Sequence, residues 1–277
     1  MEYTINQIID YYSKSSLEFV NMFVSKTLPK QVDGNRTTAL GVSGLVIPLS
    51  GAANFSLKDE KYVMNEGTIL HAGSQMPLEI VTVGDIPWEY AVIHYRTFVN
   101  STIDLKNEHF HIKVKQMALI KEQALKLLKY HTEPGNLSKL QAKRIFMELL
   151  LEIINQSKKY HDDSNSFIVP KAVNYIQEYY NESFTITELA SFLNIERRRF
   201  SELFEKNVGM TPIQYLTEYR ILKAKEYLRL GEHSVAEVAE LVGYEDNFYF
   251  SRVFKKLVGI SPKQYQKNLK ENYVFID

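Results

Sequence analysis

The chain has 277 residues, more than one average domain holds, so two domains are expected. Its 33 basic residues balance 33 acidic ones, and 45% of it is hydrophobic against 24% charged. This excludes a wholesale basic protein, an acidic solvating tail and global disorder. Cysteine is absent, which excludes a disulfide scaffold, a cysteine nucleophile and a thiolate zinc site.

The opening Met1-Glu2-Tyr3-Thr4 is not a basic region followed by an apolar run, so no secretory leader is expected. The longest apolar-leaning stretch, about Ala39 to Leu49, is short and broken by Gly, Ser and Pro. A soluble cytoplasmic protein with no membrane partner is expected. Apolar positions at Ile5, Ile8, Ile9 and Tyr12, then Leu17, Val20 and Phe23, predict helix interrupted near Ser13–Ser16. From about Thr37 to Lys115, short runs rich in Val, Ile, Tyr and Phe alternate with turn residues. The runs 45–49, 53–57, 62–64, 68–72, 78–83 and 88–99 predict short strands in a sandwich or small barrel. Pro48, inside the first run, predicts an edge or a bend there. Helical spacing returns at Met117–Tyr130 and at Leu137–Gln156, around a Glu133-Pro134-Gly135 turn, as in an antiparallel helix pair. The polar, aperiodic segment Lys158–Ser166 predicts a linker, and from Ile168 onward the pattern is helical.

The C-terminal part repeats itself. Residues 203–215 read LFEKNVGMTPIQY and residues 253–265 read VFKKLVGISPKQY. Each copy begins a helix near Thr187 or Ser234. Thr185 and Ser234 each precede a carboxylate by three residues, Glu188 and Glu237, as in a capping box. A turn is expected at Asn194 and at Gly243, followed by second helices over about Arg197–Asn207 and Asn247–Leu257. Phe200, Leu203 and Phe204 in one copy, and Phe250, Val253 and Phe254 in the other, mark the inner faces. Gly209 and Gly259 end these helices, and Pro212 and Pro262 begin the next.

Two helices across a short turn make a helix-turn-helix, whose second helix can enter the major groove. By subtraction, the DNA-facing residues are Arg197, Arg198, Ser201 and Glu202 in copy one, and Asn247, Ser251, Arg252 and Lys255 in copy two, with Lys256 beside them. Residues 171–277 hold 15 basic and 15 acidic residues, so any positive face must come from placement. Arg197–Arg199, Lys206, Arg220, Lys223, Arg252, Lys255, Lys256 and Lys263 are its expected members. Glu196, where a Ser cap is common, and Glu202, opposite Arg252 of copy two, predict that copy one binds more weakly or reads bases differently.

The doubled pattern is joined by Tyr219-Arg220-Ile221-Leu222-Lys223-Ala224-Lys225-Glu226-Tyr227-Leu228. Together with VGYEDNFYFSRVFKKLVGISPKQY in copy two, it resembles the AraC/XylS family of bacterial transcription regulators over about residues 168–270. The resemblance implies an α+β two-domain protein. A cupin-like, ligand-sensing and dimerising β-barrel with flanking helices would span 1–157, a linker 158–167, and an all-α double helix-turn-helix 168–277. It implies double-stranded DNA as a partner, a small-molecule effector with a sugar as the default, and a homodimer. RNA polymerase is a further candidate partner. An activator is expected, and no cofactor.

His109-Phe110-His111 would put two rings on one face of a strand, but no second His stands beside His71, so no metal is expected. Trp88, Tyr90, His94 and Arg96 share strand parity. With His71 they are the candidate ligand-binding residues, Arg96 for a carboxylate and Trp88 for stacking on a sugar. No nucleophile elbow, Walker loop or dinucleotide fingerprint occurs, so an enzyme is not expected. Two alternatives stand beside the sensor: an N-terminal domain that only dimerises, and a metal-dependent cupin enzyme.

Overall fold

A computed structural model describes residues 3–58, 60–99, 104–161 and 167–272. The chain divides into two compact units, residues 1–163 and 164–277.

The first unit opens with helix α1 (Ile5–Lys14), started by a capping box between Thr4 and Gln7. Strands β1 (Ser15–Thr27) to β9 (His109–Lys113) follow, and then helices α2 (Ala118–Thr132) and α3 (Asn136–His161). The strands between are β2 (Val32–Thr37), β3 (Ser43–Ser50), β4 (Ala52–Leu57), β5 (Glu60–Met64), β6 (Thr68–Ala72), β7 (Pro77–Val83) and β8 (Trp88–Val99). They form two antiparallel sheets, ordered β1-β8-β3-β6-β9 and β2-β7-β4-β5. Among the described residues no ladder joins the two sheets, so of the sandwich and the small barrel expected, the strands form a pair of packed sheets and close no barrel. Short strands between turns have the same texture in either arrangement, and only the pairing separates them.

Alternation along β8 assigns its two faces. Trp88, Tyr90 and Val92 pack towards Phe55, Leu57, Met64 and Ile80 of the four-stranded sheet. Ala91, Ile93 and Tyr95 pack towards α1, α2 and α3, through Ile8, Tyr12, Ile120, Phe146 and Leu149. The five-stranded sheet is therefore covered on both sides, which is why Ser43–Pro48 and all of β6 are buried without alternation.

The helix expected over residues 4–26 ends at Lys14, and Leu17, Val20 and Phe23 lie on β1. A bulge between Phe19 and Asn21 accounts for the misreading. Leu17 and Phe19 face the core, and after the extra residue Met22 does. The bulge thus breaks the two-residue period and leaves a spacing that imitates a helix. Pro48 lies at a register shift against β8, beyond the Gly44–Val46 stretch that pairs with β6, so of the edge and the bend expected it marks the bend, on a central strand. Of the expected linker, residues 158–161 continue α3, and residues 162–166 lie outside the described residues.

The second unit is helical: α4 (Ile168–Tyr179), α5 (Ile186–Phe192), α6 (Arg197–Val208), α7 (Pro212–Leu230), α8 (Val235–Leu241), α9 (Asn247–Val258) and α10 (Pro262–Asn272). It holds two cores. Val169, Ile176, Leu189, Phe200, Phe204 and Leu216 fill one. Ile221, Ala224, Leu228, Val238, Phe250 and Phe254 fill the other. Helix α7 gives its first half to one and its second half to the other.

Candidate nucleic-acid interface and small-molecule pocket

The two copies repeat atom for atom in their caps and turns. Thr185 with Glu188, and Ser234 with Glu237, form complete capping boxes at the starts of α5 and α8. The first helix thus starts from Thr185, and Thr187 lies inside it. In the turns, the Asn194 amide donates to Ser191 O and that of Ile195 to Ala190 O, each at 3.0 Å. The Gly243 and Tyr244 amides donate likewise to Glu240 O and Ala239 O, each at 2.9 Å. Asn194 and Gly243 both take the left-handed backbone, at φ 53° and 83°. At Gly243 glycine is required twice over, because a Cβ would lie 2.8 Å from both Asn181 O and the Arg220 guanidinium.

The second helices, α6 and α9, start from carboxylate caps. Glu196 accepts from the amides of Arg198 and Arg199, and Asp246 from those of Phe248 and Tyr249. These amide bonds hold the Glu196 carboxyl below its ordinary range. The carboxylate is turned onto its own helix end, so Glu196 is a working cap where Ser was expected. Gly209 and Gly259 close both helices in the left-handed conformation.

With Phe200 and Phe204, or Phe250 and Phe254, pointing inward, the outermost line of each helix follows from the 3.6-residue period. It is Arg198, Glu202 and Glu205 on α6, and Phe248, Arg252 and Lys255 on α9. Arg197, Arg198 and Glu202 are exposed, and Ser201 is half-buried. The Arg198 Nε donates to Glu202 at 3.0 Å, so the first helix offers a paired charge. On α9, Arg252, Lys255 and Lys256 are exposed, while Asn247 and Ser251 are half-buried. The Arg252 guanidinium lies 5.9 Å from the centre of the Tyr249 ring. Two aromatics absent from the subtraction are on this surface, Phe248 at 84% exposure and Tyr249 at 52%.

Arg220 leaves the expected positive face. It turns inward to donate to Tyr180 O at 2.6 Å and Glu182 O at 2.9 Å, and lies against the Tyr244 ring. Burial lowers its pKa from the ordinary value. Lys223 is tied to Glu226 at 2.9 Å.

A family model described as a helix-turn-helix domain matches residues 189–268. The C-terminal unit is a helix-turn-helix domain of the AraC type. The chain is 32% identical over 155 residues to the uncharacterized HTH-type transcriptional regulator YisR of Bacillus subtilis, covering 56% of this chain and 53% of that protein. It is 39% identical over 98 residues to the raffinose operon transcriptional regulatory protein RafR of Pediococcus pentosaceus, covering 35% of each. The chain thus spans about half or less of the length of these relatives. Among solved structures, it is similar to the C-terminal domain of AraT, a response regulator from Geobacillus stearothermophilus. There the identity is 37%, with 38% of this chain and 88% of that one covered and a TM-score of 0.37.

The five candidate ligand residues of the first unit do not come together. His71 is fully buried on the helix-covered face of its sheet, stacked on Phe110. Trp88 is fully buried and stacked on Tyr90, which leaves no ring face for a sugar. Arg96 is exposed and pairs with Glu18 at 3.3 Å. Tyr90 and His94 do line a cavity of about 210 Å³ on the inter-sheet face, with Phe23, Arg36, Thr38 and Phe55. The cation there is Arg36, which donates to the Tyr90 hydroxyl at 3.2 Å and pairs with Asp33 at 2.7 Å. The His94 Nδ1 is 2.8 Å from Asn21 Oδ1, and burial lowers the His94 pKa. Arg36 escaped sequence reading because β2 carries no alternating apolar pattern.

His109 and His111 lie against Tyr62, with His109 Nδ1 2.8 Å from its hydroxyl. Among the described residues no group of three or more His, Cys, Asp or Glu is placed to hold a metal. Among the same residues, no helix is long and apolar enough to cross a membrane.

Proposed function

We propose that the chain is a sequence-specific DNA-binding regulator of transcription, an activator, whose N-terminal unit senses a small molecule. What carries this is the paired geometry: two helix-turn-helix copies with the same caps and turns share α7 and expose a basic second helix. The relatives named above are regulators by name, and RNA polymerase as a partner follows from activation.

The cavity beside Tyr90, His94 and Arg36 is the effector site. An aromatic face with a few polar groups suits a sugar, and one relative is named for the raffinose operon. Ligand binding shifts the population towards states in which both copies engage DNA. On α3, Leu137, Leu140, Met147 and Leu151 lie exposed at spacings of three, seven and four, and this stripe is the homodimer contact.

Selection from a random duplex pool with the full chain tests DNA reading. Two short motifs about one helical turn apart are expected. An absence of enrichment, with and without a panel of sugars that stabilise the N-terminal unit, would overturn it. On the selected duplex, Arg252→Ala should weaken binding by about 1–3 kcal/mol. Glu202→Ala should change it far less, or tighten it, because it frees Arg198. A titration in which Arg252→Ala binds like wild type would remove Arg252 from the base-reading set.

A further inference from the structure

The second helix of copy two holds a phenylalanine that the core does not use. Phe250 and Phe254 fill that core and are fully buried, whereas Phe248, two residues earlier, is 84% exposed. Its backbone is fixed, since the Phe248 amide donates to Asp246 Oδ1 at 2.7 Å in the first turn of α9. That turn is the part of a recognition helix that comes nearest to base edges. Phe248 also shares its helix line with Arg252 and Lys255, four and seven residues on. An apolar ring at the head of two cations suits a surface that is anionic around it and apolar at one point. In the major groove, the apolar group presented at base edges is the thymine C5-methyl.

We propose that Phe248 is a specificity-determining residue that packs on a thymine methyl in the half-site read by copy two. This rests on the reading of the C-terminal unit as DNA-binding. Copy one supplies an internal contrast. Its matching position is Arg198, held by Glu202 at 3.0 Å, so a polar reader stands where copy two has a ring. The thymine preference therefore belongs to one half-site only, and the operator is chemically asymmetric.

The test uses the full chain and its selected duplex, with each thymine replaced singly by deoxyuridine, which removes only the methyl group. One replacement, in the half-site that also depends on Arg252, should weaken wild-type binding about four-fold. In Phe248→Ala, whose exposed position should leave the circular dichroism unchanged, the same replacement should have no effect. Phe248→Leu should restore part of it. Arg252-dependent specific binding with no methyl-sensitive thymine, or sensitivity that persists in Phe248→Ala, would overturn the proposal and leave DNA reading intact. Equal losses by Phe248→Ala on thymine and uracil duplexes would overturn it in favour of a protein contact. Absence of any selected sequence would overturn both.

Discussion

Arg220→Ala should lower the stability of the helical unit by about 2 kcal/mol, the range for losing charge-assisted hydrogen bonds to partly exposed carbonyls. Arg220 sits on α7, the helix both cores share, and joins three places. It caps the end of α4 through Tyr180 O and Glu182 O, and it backs the copy-two turn at Gly243 and Tyr244. Its removal frees α4 from the start of copy two and leaves a space beside the Gly243 turn. Gly243→Ala should act in the same direction, by forcing a Cβ into Asn181 O at an unfavourable φ. The units can be followed separately, because Trp88, the one tryptophan of the chain, lies in the first unit. Far-UV circular dichroism should show an earlier helical transition while Trp88 fluorescence keeps its midpoint. An unchanged helical midpoint in Arg220→Ala would show that α7 is held by its apolar contacts alone. Arg220→Lys, with a point charge in place of a planar fork, should fall between the two.

Much of this architecture was legible because local chemistry and tertiary position agree. Thr185, Ser234, Asn194, Gly243, Gly209 and Gly259 do in the structure what their residue types do in any helix end or turn. Arg220 was misplaced because its charge suggested solvent, while the partly exposed carbonyls beyond the end of another helix attract the same group. Phe248 was passed over because subtraction assigns apolar residues to the core, and of Phe-Tyr-Phe the inner face holds only Phe250. In the first unit, strands 45–49, 53–57 and 68–72 showed as apolar runs, but a bulge at Phe19/Asn21 hid β1. Strand parity placed Trp88, Tyr90 and His94 on one face, as β8 has them. It did not tell which of the three would be sealed, nor that His71, on β6 across β3 from them, faces the opposite side. Both depend on which strands pair and what covers them.

Stability of the first unit should fall as the pH drops from about 6.5 towards about 4, by on the order of 3 kcal/mol in all, with His71 as the source. His71 is fully buried, and burial pushes its pKa down to about 4 from an ordinary 6.5. Its neighbours fix its protonation. The Nε2 lies 3.0 Å from Leu105 O, which can only accept, so the ring proton is on Nε2. Nδ1 then accepts from the Tyr95 hydroxyl at 2.7 Å, and Tyr95 in turn accepts from Tyr12 at 2.7 Å. The chain Tyr12, Tyr95, His71, Leu105 is complete only with a neutral ring, and it ties α1 and the 104–108 turn to the five-stranded sheet. Above pH 6.5 neither state binds the proton, and the stability is fully present. Between 6.5 and about 4 only the unfolded chain binds it, so each unit of acidification costs about 1.4 kcal/mol. Below about 4 both states are protonated, and the loss from this group stops. Urea midpoints followed by Trp88 fluorescence should therefore correspond to about 2 kcal/mol less stability at pH 5 than at pH 7.5. His71→Gln keeps one donor and one acceptor and has no proton to gain, so its profile should be much flatter over the same range. A slope unchanged in that variant would move the pH dependence to His94 and His109, whose pKa values burial also lowers.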